Sequence, residues 1–308
     1  MKEPCIAVLL AAYNGEQYIG EQIESVLAQS YQNIRLIISD DFSTDNTLAL
    51  IKQYSLKDDR ISVIQSKKRL GSAQANFMFL LKNCTADYYM FCDQDDFWFP
   101  DKAAMELKEM QALEKPGMPV LVHTDLSVAD KELNRIAESF FQYQKLSKKQ
   151  PLSVTLIQNN VTGCTVMINS ALRELALQKE DTRGILMHDW FLAILASCVG
   201  IIGFVDRPTM LYRQHDKNQI GAQNAGSISY LMQKIQNKKG NRKSLYDTFE
   251  QSAQIAALYG SQLGASYEIL NEYGKNTARK KCERIKICRR YGIWKNTLPR
   301  KIGQILFL

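Results

Sequence analysis

Three carboxylates stand within four residues at Asp93-Gln94-Asp95-Asp96, directly after the apolar, aromatic segment Ala86-Asp87-Tyr88-Tyr89-Met90-Phe91-Cys92. Such a cluster repels itself unless a cation sits among its members, and a divalent metal carrying a diphosphate is the commonest biological partner. The chemistry implied is that of a nucleotide.

Elements that would position this run are legible around it. The first half alternates short apolar runs with helical patterns, the signature of a parallel α/β sheet. Strands are predicted over Cys5–Ala12, Ile34–Ser39, Ile61–Gln65 and Tyr88–Cys92. Helices are predicted over Glu16–Ala28, with Ile19, Ile23, Val26 and Leu27 on one face, after an N-cap at Ser43 or Asp45, and over Ala73–Lys82. The result is a doubly wound sheet, in which ligands sit at the carboxyl ends of strands near a topological switch point. Those ends are Ala11-Ala12-Tyr13-Asn14-Gly15, Asp40-Asp41 and Asp93-Gln94-Asp95-Asp96, so the three should form one cluster.

Beyond Pro119 the pattern is mixed. It contains a strand at Val120–Thr124, an ambiguous stretch over 140–150, a helix beginning near Ile185 that carries His188-Asp189-Trp190, and a strand at Met210–His215. From Ser227 onward helices dominate, separated by a basic loop at Asn237–Lys243. Of the net charge of +7, the excess lies in Arg279–Lys301, with ten Lys/Arg against Glu283; the remainder nets −2. The longest uncharged apolar stretch, Trp190–Val205, has 16 residues and two glycines, short for a bilayer crossing, and reads as a buried helix followed by a strand. No signal-peptide layout precedes the first strand, so a cytoplasmic protein is expected. Seven cysteines without a CxxC pair suggest reduced thiols rather than a disulfide framework or structural zinc.

Taken in order and spacing, Ala-Ala-Tyr-Asn-Gly at 11–15, Asp-Asp-x-Ser at 40–43 and Asp-x-Asp-Asp at 93–96 resemble the family 2 glycosyltransferases of GT-A fold. His188-Asp189-Trp190 followed by Tyr212-Arg213-Gln214-His215-Asp216 resembles, more narrowly, bacterial rhamnosyltransferases of rhamnan and capsule assembly that use dTDP-L-rhamnose. The resemblance covers roughly residues 4–220. It implies a GT-A-type α/β fold, doubly wound and mostly parallel, over residues 1–225 (nucleotide-binding half 1–118, acceptor half 119–225), followed by a helical, basic C-terminal region over 226–308.

Under that resemblance each residue acquires an expected role beside a plainer one. Ala11 lines the nucleotide site, and Tyr13 either stacks on a pyrimidine, worth about 1 to 3 kcal/mol, or staples the next helix. Asp40 accepts the imide N–H of uracil or thymine, or else caps a helix; Asp41 is structural or a ribose contact. Alternation along an extended segment puts Asp93 and Asp95 on one side, with Asp95 the direct ligand of Mg²⁺ or Mn²⁺ and Asp93 toward ribose or metal-bound water. Asp96 caps the helix after Pro100 or touches the donor sugar. Asp189 is the expected general base of an inverting transfer, tuned by His188, with Trp190 beneath it or against a sugar ring. Arg213 and His215 are expected at the diphosphate, His215 also at the metal. Trp98, Thr162 and Gly163 are expected acceptor or sugar contacts, Trp98 equally a core residue.

The expected partners are a nucleotide-sugar donor, dTDP-β-L-rhamnose, and a lipid-linked glycan acceptor. The basic tail, with Ile285, Ile287, Tyr291, Ile293 and Trp294 interleaved, suggests a peripheral contact with an anionic membrane at the inner face of the cell membrane, or else a solvated face or oligomer contact. No nucleic-acid module is apparent. Competing classes are a transferase using a UDP-hexose or UDP-N-acetylhexosamine, a nucleotidyltransferase, and a non-catalytic glycan-binding or scaffold protein. A nucleotidyltransferase calls for a glycine-rich, basic loop after the first strand, and residues 11–15 hold no Lys or Arg.

Overall fold

A computed structural model describes residues 3–179, 184–215 and 237–308. Asp216, the last residue of the motif begun at Tyr212, and residues 227–236 of the expected helical region lie outside them.

Strand β1 (Ile6–Ala12) is apolar along its whole length and buried except at Ala11, as a central parallel strand covered on both faces must be. It pairs in parallel with β2 (Ile34–Asp40) on one side and β4 (Tyr88–Asp93) on the other, and β3 (Ile61–Ile64) extends the sheet beyond β2. The crossovers are α1 (Ile19–Leu27), α2 (Thr47–Ser55) and α3 (Ala73–Lys82). Ile19, Ile23 and Val26 of α1 are buried, as its periodicity predicts. Ser72 caps α3 by accepting from the Ala75 N–H at 3.1 Å. Neither Ser43 nor Asp45 caps α2: the N-cap is Asn46, and Asp45 instead accepts from the Thr47 N–H at 3.0 Å.

The second part of the sheet is antiparallel. Its members are β5 (Phe97–Trp98), β6 (Val120–Ala129), β7 (Arg135–Ala137), β8 (Val166–Asn169) and β9 (Ile201–Arg213), with α4 (Lys102–Leu113) leading into β6. Strand β8 lies antiparallel between β4 and β6, giving the order β3-β2-β1-β4-β8-β6-β9-β5, with β7 on β6. The chain moves to one side of β1 for β2 and β3 and to the other for β4, so the switch point falls between β1 and β4.

Two compact units emerge: Met1–Phe140, Thr162–Glu174 and Gly203–Ala222 in the first, and Phe141–Val161, Leu175–Ile202 and Gln223–Leu308 in the second. The last division, at Ala222/Gln223, lies close to the boundary expected at 225, and residues 141–161 and 175–202, expected before that boundary, group with the C-terminal residues. Helix α5 (Phe140–Tyr143) starts at the end of the first stretch, and α6 (Leu152–Thr155) belongs to the second unit. After α7 (Ser170–Leu177), the apolar α8 (His188–Val199) joins the C-terminal helices α9 (Lys238–Tyr259), α10 (Ser266–Gly274), α11 (Lys281–Tyr291) and α12 (Leu298–Phe307). It does so because Phe191 packs on Tyr259, ring centroids 6.2 Å apart. The basic segment after Asn237, expected as a loop, is the opening of α9: Asn237 accepts from the Gly240 N–H at 3.1 Å, and the following Lys and Arg residues project from helical turns.

In the first unit, Lys102 and Glu106 form a fully buried ion pair at 2.6 Å on successive turns of α4. The ammonium also donates to Thr209 Oγ1 at 3.3 Å and lies 4.9 Å above the ring of Trp98, which is itself 1% exposed. Burial pushes the Glu106 carboxyl up to about 7 even beside its lysine. Removing one partner strands the other charge, so Glu106→Ala is expected to destabilise the protein by about 3 to 5 kcal/mol. Lys102→Met/Glu106→Leu should recover most of that loss in chemical denaturation, since the pair is replaced by apolar volume.

Candidate functional site at the switch point

Sheet register carries the strand-end motifs together: Ala11 pairs with both Ser39 and Asp93, and Ala12 with Asp40. The first turn is held by a dense set of bonds. Asn14 adopts a left-handed conformation (φ 49°), which asparagine tolerates, and its N–H donates to Ser43 Oγ at 2.9 Å while its side-chain Oδ1 accepts from the Thr44 N–H at 2.8 Å. Gln94, which sequence reasoning passed over, reaches back across the sheet. Its Oε1 accepts from the Tyr13 N–H at 2.8 Å and its Nε2 donates to the Tyr13 carbonyl at 3.0 Å. A Cβ at Gly15 would stand 2.3 Å from Gln94 Oε1, so a larger residue there would displace the Gln94 amide from Tyr13.

Tyr13 is left partly exposed, with the Arg69 guanidinium 4.5 Å over its ring. Asp40 is buried and accepts from the Ser43 N–H at 3.0 Å and from the Ser43 hydroxyl, which closes the turn after β2. Asp41 serves the structural role: its two oxygens accept from the Leu70 and Gly71 N–H groups at 2.6 and 2.8 Å, pinning the loop that carries Arg69. Only lysine-arginine composition marked that loop in the sequence, and such composition is common at surfaces.

Alternation does not continue through the acidic run, because β4 ends at Asp93 and the chain turns at Gln94 and Asp95. The carboxylates therefore part company. Asp93 groups with Asp96 and Cys164, ligand atoms all within 4.8 Å of one another, whereas Asp95 Oδ2 meets His215 Nε2 at 2.7 Å. His215 stacks on Tyr18 at 5.0 Å, and Arg213 packs 4.4 Å from the same ring. Tyr18 is a site residue that nothing in its sequence context signalled.

Arg213 is buried and its guanidinium is engaged by the protein. Nε donates to the Asp95 carbonyl at 2.7 Å, Nη1 to the Lys131 carbonyl at 2.5 Å and Nη2 to Glu21 at 2.5 Å. It thereby fixes the turn that presents Asp95. Asp96 is fully buried and accepts from the Arg213 N–H at 3.1 Å; it caps no helix, since α4 follows Asp101. Burial, then the neighbouring Asp95 and Asp93 charges, raise its carboxyl well above the usual range. Burial and Asp96 likewise raise the Cys164 thiol. Asp93, Asp96 and Cys164 form one group of potential ligand atoms, and the Asp95 carboxylate with the His215 imidazole offers a second, of the oxygen and nitrogen type that Mg²⁺ or Mn²⁺ accepts.

Trp98 is a core residue at the floor of the Lys102–Glu106 pair, not an exposed sugar platform. Thr162 and Gly163 lead into a single 3₁₀ turn, Gly163–Thr165, closed by the Thr165 N–H and hydroxyl donating to the Thr162 carbonyl at 2.9 and 2.7 Å. That turn is what delivers Cys164 to Asp93 and Asp96.

Within the second unit, Asp189 lies in the first turn of α8, where the helix dipole favours a carboxylate. It is 7% exposed, and its Oδ1 accepts from the Trp190 N–H at 2.6 Å. Trp190 is anchored by donation from Nε1 to the Thr155 carbonyl at 2.5 Å. His188 is buried, and burial lowers its pKa to about 3, so it stays neutral.

Comparison with known proteins identifies the family. Residues 7–176 match the family described as glycosyl transferase family 2. The chain is 30% identical over 276 residues to the dTDP-rhamnosyl transferase RfbG of Shigella flexneri, covering 84% of this chain and 89% of that protein. Among solved structures it resembles Staphylococcus aureus TarS 1-349 in complex with UDP, with a TM-score of 0.54 at 15% identity over 95% of this chain and 93% of that one. The Pyrobaculum calidifontis mannosyltransferase PcManGT, in complex with GDP-Man and Mn²⁺, also gives a TM-score of 0.54, at 14% identity over 99% of this chain and 79% of that one. These likenesses share the GT-A fold, an α/β architecture with a mostly parallel sheet and C-terminal helices. The chain belongs to glycosyl transferase family 2 and is a glycosyltransferase of GT-A fold.

Proposed function

We propose that the protein is an inverting, metal-dependent rhamnosyltransferase that moves L-rhamnose from dTDP-β-L-rhamnose to a hydroxyl of a lipid-linked glycan, forming an α-1,3 or α-1,2 linkage in cell-wall or capsular polysaccharide synthesis. The observation that carries the donor assignment is the 30% identity to a dTDP-rhamnosyl transferase along most of both chains. The Asp95–His215 contact at 2.7 Å, beside Asp93, supports metal dependence.

In this reading Tyr13 stacks on the thymine and Asp40 accepts its imide N–H once the nucleotide competes with Ser43, with Ala11 lining the pocket. Asp93 approaches the ribose. Asp95 and His215 would hold Mg²⁺ or Mn²⁺, which would, when bound, neutralise charge on the diphosphate leaving group. Arg213 acts by locking the Asp95 turn rather than by touching phosphate. Asp189 takes the proton of the acceptor hydroxyl as that oxygen bonds to the anomeric carbon and the bond to the diphosphate breaks on the opposite face.

A panel of nucleotide sugars, assayed with Mg²⁺ and a defined lipid-linked acceptor, tests the assignment. Release of dTDP from dTDP-rhamnose is expected only when acceptor is present. Turnover with a UDP-hexose or UDP-N-acetylhexosamine and none with dTDP-rhamnose would overturn the sugar, leaving the family intact.

A further inference from the structure

The expected interfacial face over 279–294 is not the exposed apolar surface of this region. Ile293 is buried, and Arg284 is buried 4.6 Å over the Tyr246 ring while donating to the Leu308 carbonyl at 2.8 Å. Arg279 pairs with Glu272 at 2.5 Å. These residues knit the second unit together.

Exposed apolar side chains lie instead on α12. Leu298, Ile302, Ile305 and Leu306 are 70%, 51%, 40% and 66% exposed. Their spacing of four, seven and eight residues from Leu298 places all of them on one helical face. The inward side of the helix carries Gln304 beside Phe307 and Leu308. Gln304 is buried, with its Oε1 accepting from the Lys295 N–H at 3.0 Å and its Nε2 donating to the Ile293 carbonyl at 2.9 Å. Arg300 holds the same side by donating to the Gln144 carbonyl at 2.8 Å. Specific hydrogen bonds thus fix the orientation that turns leucine and isoleucine toward solvent.

Cations border this face. Lys301 is exposed on α12 itself, and Lys281 reaches its far end by donating to the Leu306 carbonyl at 3.2 Å. Lys280, Lys286 and Arg289 are also exposed on or beside α11, whereas Arg290 pairs with Glu268 at 3.1 Å. We infer that α12 lies in the surface of an anionic lipid bilayer, with Leu298, Ile302, Ile305 and Leu306 among the acyl chains and Lys281 and Lys301 at the headgroups. An apolar stripe flanked by long basic side chains is the pattern of an interfacial helix, not of a spanning one. Among the described residues no helix is long and apolar enough to cross a membrane. Charge selects the occupant: an isologous contact with a second copy would bring two equally basic rims together, whereas an anionic leaflet complements them.

The full chain, sedimented with vesicles of phosphatidylcholine containing about one-third phosphatidylglycerol, is expected to pellet with them and to stay in solution with phosphatidylcholine alone. Ile302→Ser/Leu306→Ser should weaken partitioning by about 50-fold without moving the thermal melt, because both side chains are already exposed. Lys281→Glu/Lys301→Glu should weaken it by about tenfold or more. Failure of the wild-type chain to bind anionic vesicles overturns the inference, as does undiminished binding of the serine variant. So does conversion of a dimer to a monomer by the serine substitutions, seen by analytical ultracentrifugation, which would assign the face to a second copy. Binding is read without donor or acceptor, so its outcome is independent of the proposed transfer.

Discussion

Asp95→Asn is expected to lower the transfer rate by about 10³-fold, and to abolish the metal-dependent part of dTDP affinity in calorimetry. The substitution removes the carboxylate that meets His215 at 2.7 Å but keeps the backbone carbonyl to which Arg213 donates, so the turn itself should stay in place. Asp96→Asn is the informative companion. Asp96 is fully buried, and its bond from the Arg213 N–H can be accepted equally by an amide oxygen, so transfer should fall by no more than about tenfold. The opposite ranking, with Asp96→Asn inactive and Asp95→Asn active, would move the metal to the group formed by Asp93, Asp96 and Cys164.

Why the sequence could name the cluster but not divide it follows from what each signal encodes. Apolar runs ending in Ala11, Asp40 and Asp93 report strands and their ends, and parallel register then brings Ala11 and Asp93 side by side without further information. The crossover helix keeps its expected bounds over 73–82, and Ser72 caps its start. Side-chain direction past a strand end was not readable, since period-two alternation fails once the backbone turns at Gln94 and Asp95. Gln94 and Tyr18 carry no local mark of their roles; their partners, Tyr13 and His215, are distant in sequence and are supplied only by the fold.

Long-range assembly also explains the departures around Trp98 and the second unit. An aromatic residue two positions after an acidic run reads naturally as a sugar platform, yet pairing of β5 with β9 turns Trp98 under Lys102. Helix α8 is apolar enough to seek a partner on most sides, and pattern alone does not say which. Tyr259, about 70 residues on, decides that it belongs with the C-terminal helices. The basic tail likewise had the right composition for an interface, but the buried bonds of Arg284 and Gln304 determine which helix shows its apolar face.

Asp189→Ala should reduce transfer by about 10³- to 10⁴-fold while leaving dTDP-rhamnose affinity within a few-fold of the parent. The separation between rate and binding is the point of the experiment. A general base acts on the acceptor proton in the transition state, so its loss lowers kcat and kcat/KM together and leaves the donor site unaltered. A purely structural role predicts something else. Asp189 accepts from the Trp190 N–H at 2.6 Å in the first turn of α8, and loss of a carboxylate there would cost about 1 kcal/mol through the helix end. Asp189→Asn separates the two roles, since an amide oxygen can still accept that bond but cannot take a proton at neutral pH. The asparagine variant should melt within a few degrees of the parent and remain as inactive as the alanine variant. Recovery of transfer in Asp189→Asn, with the alanine form inactive, would reduce Asp189 to a helix-end residue and place the base elsewhere.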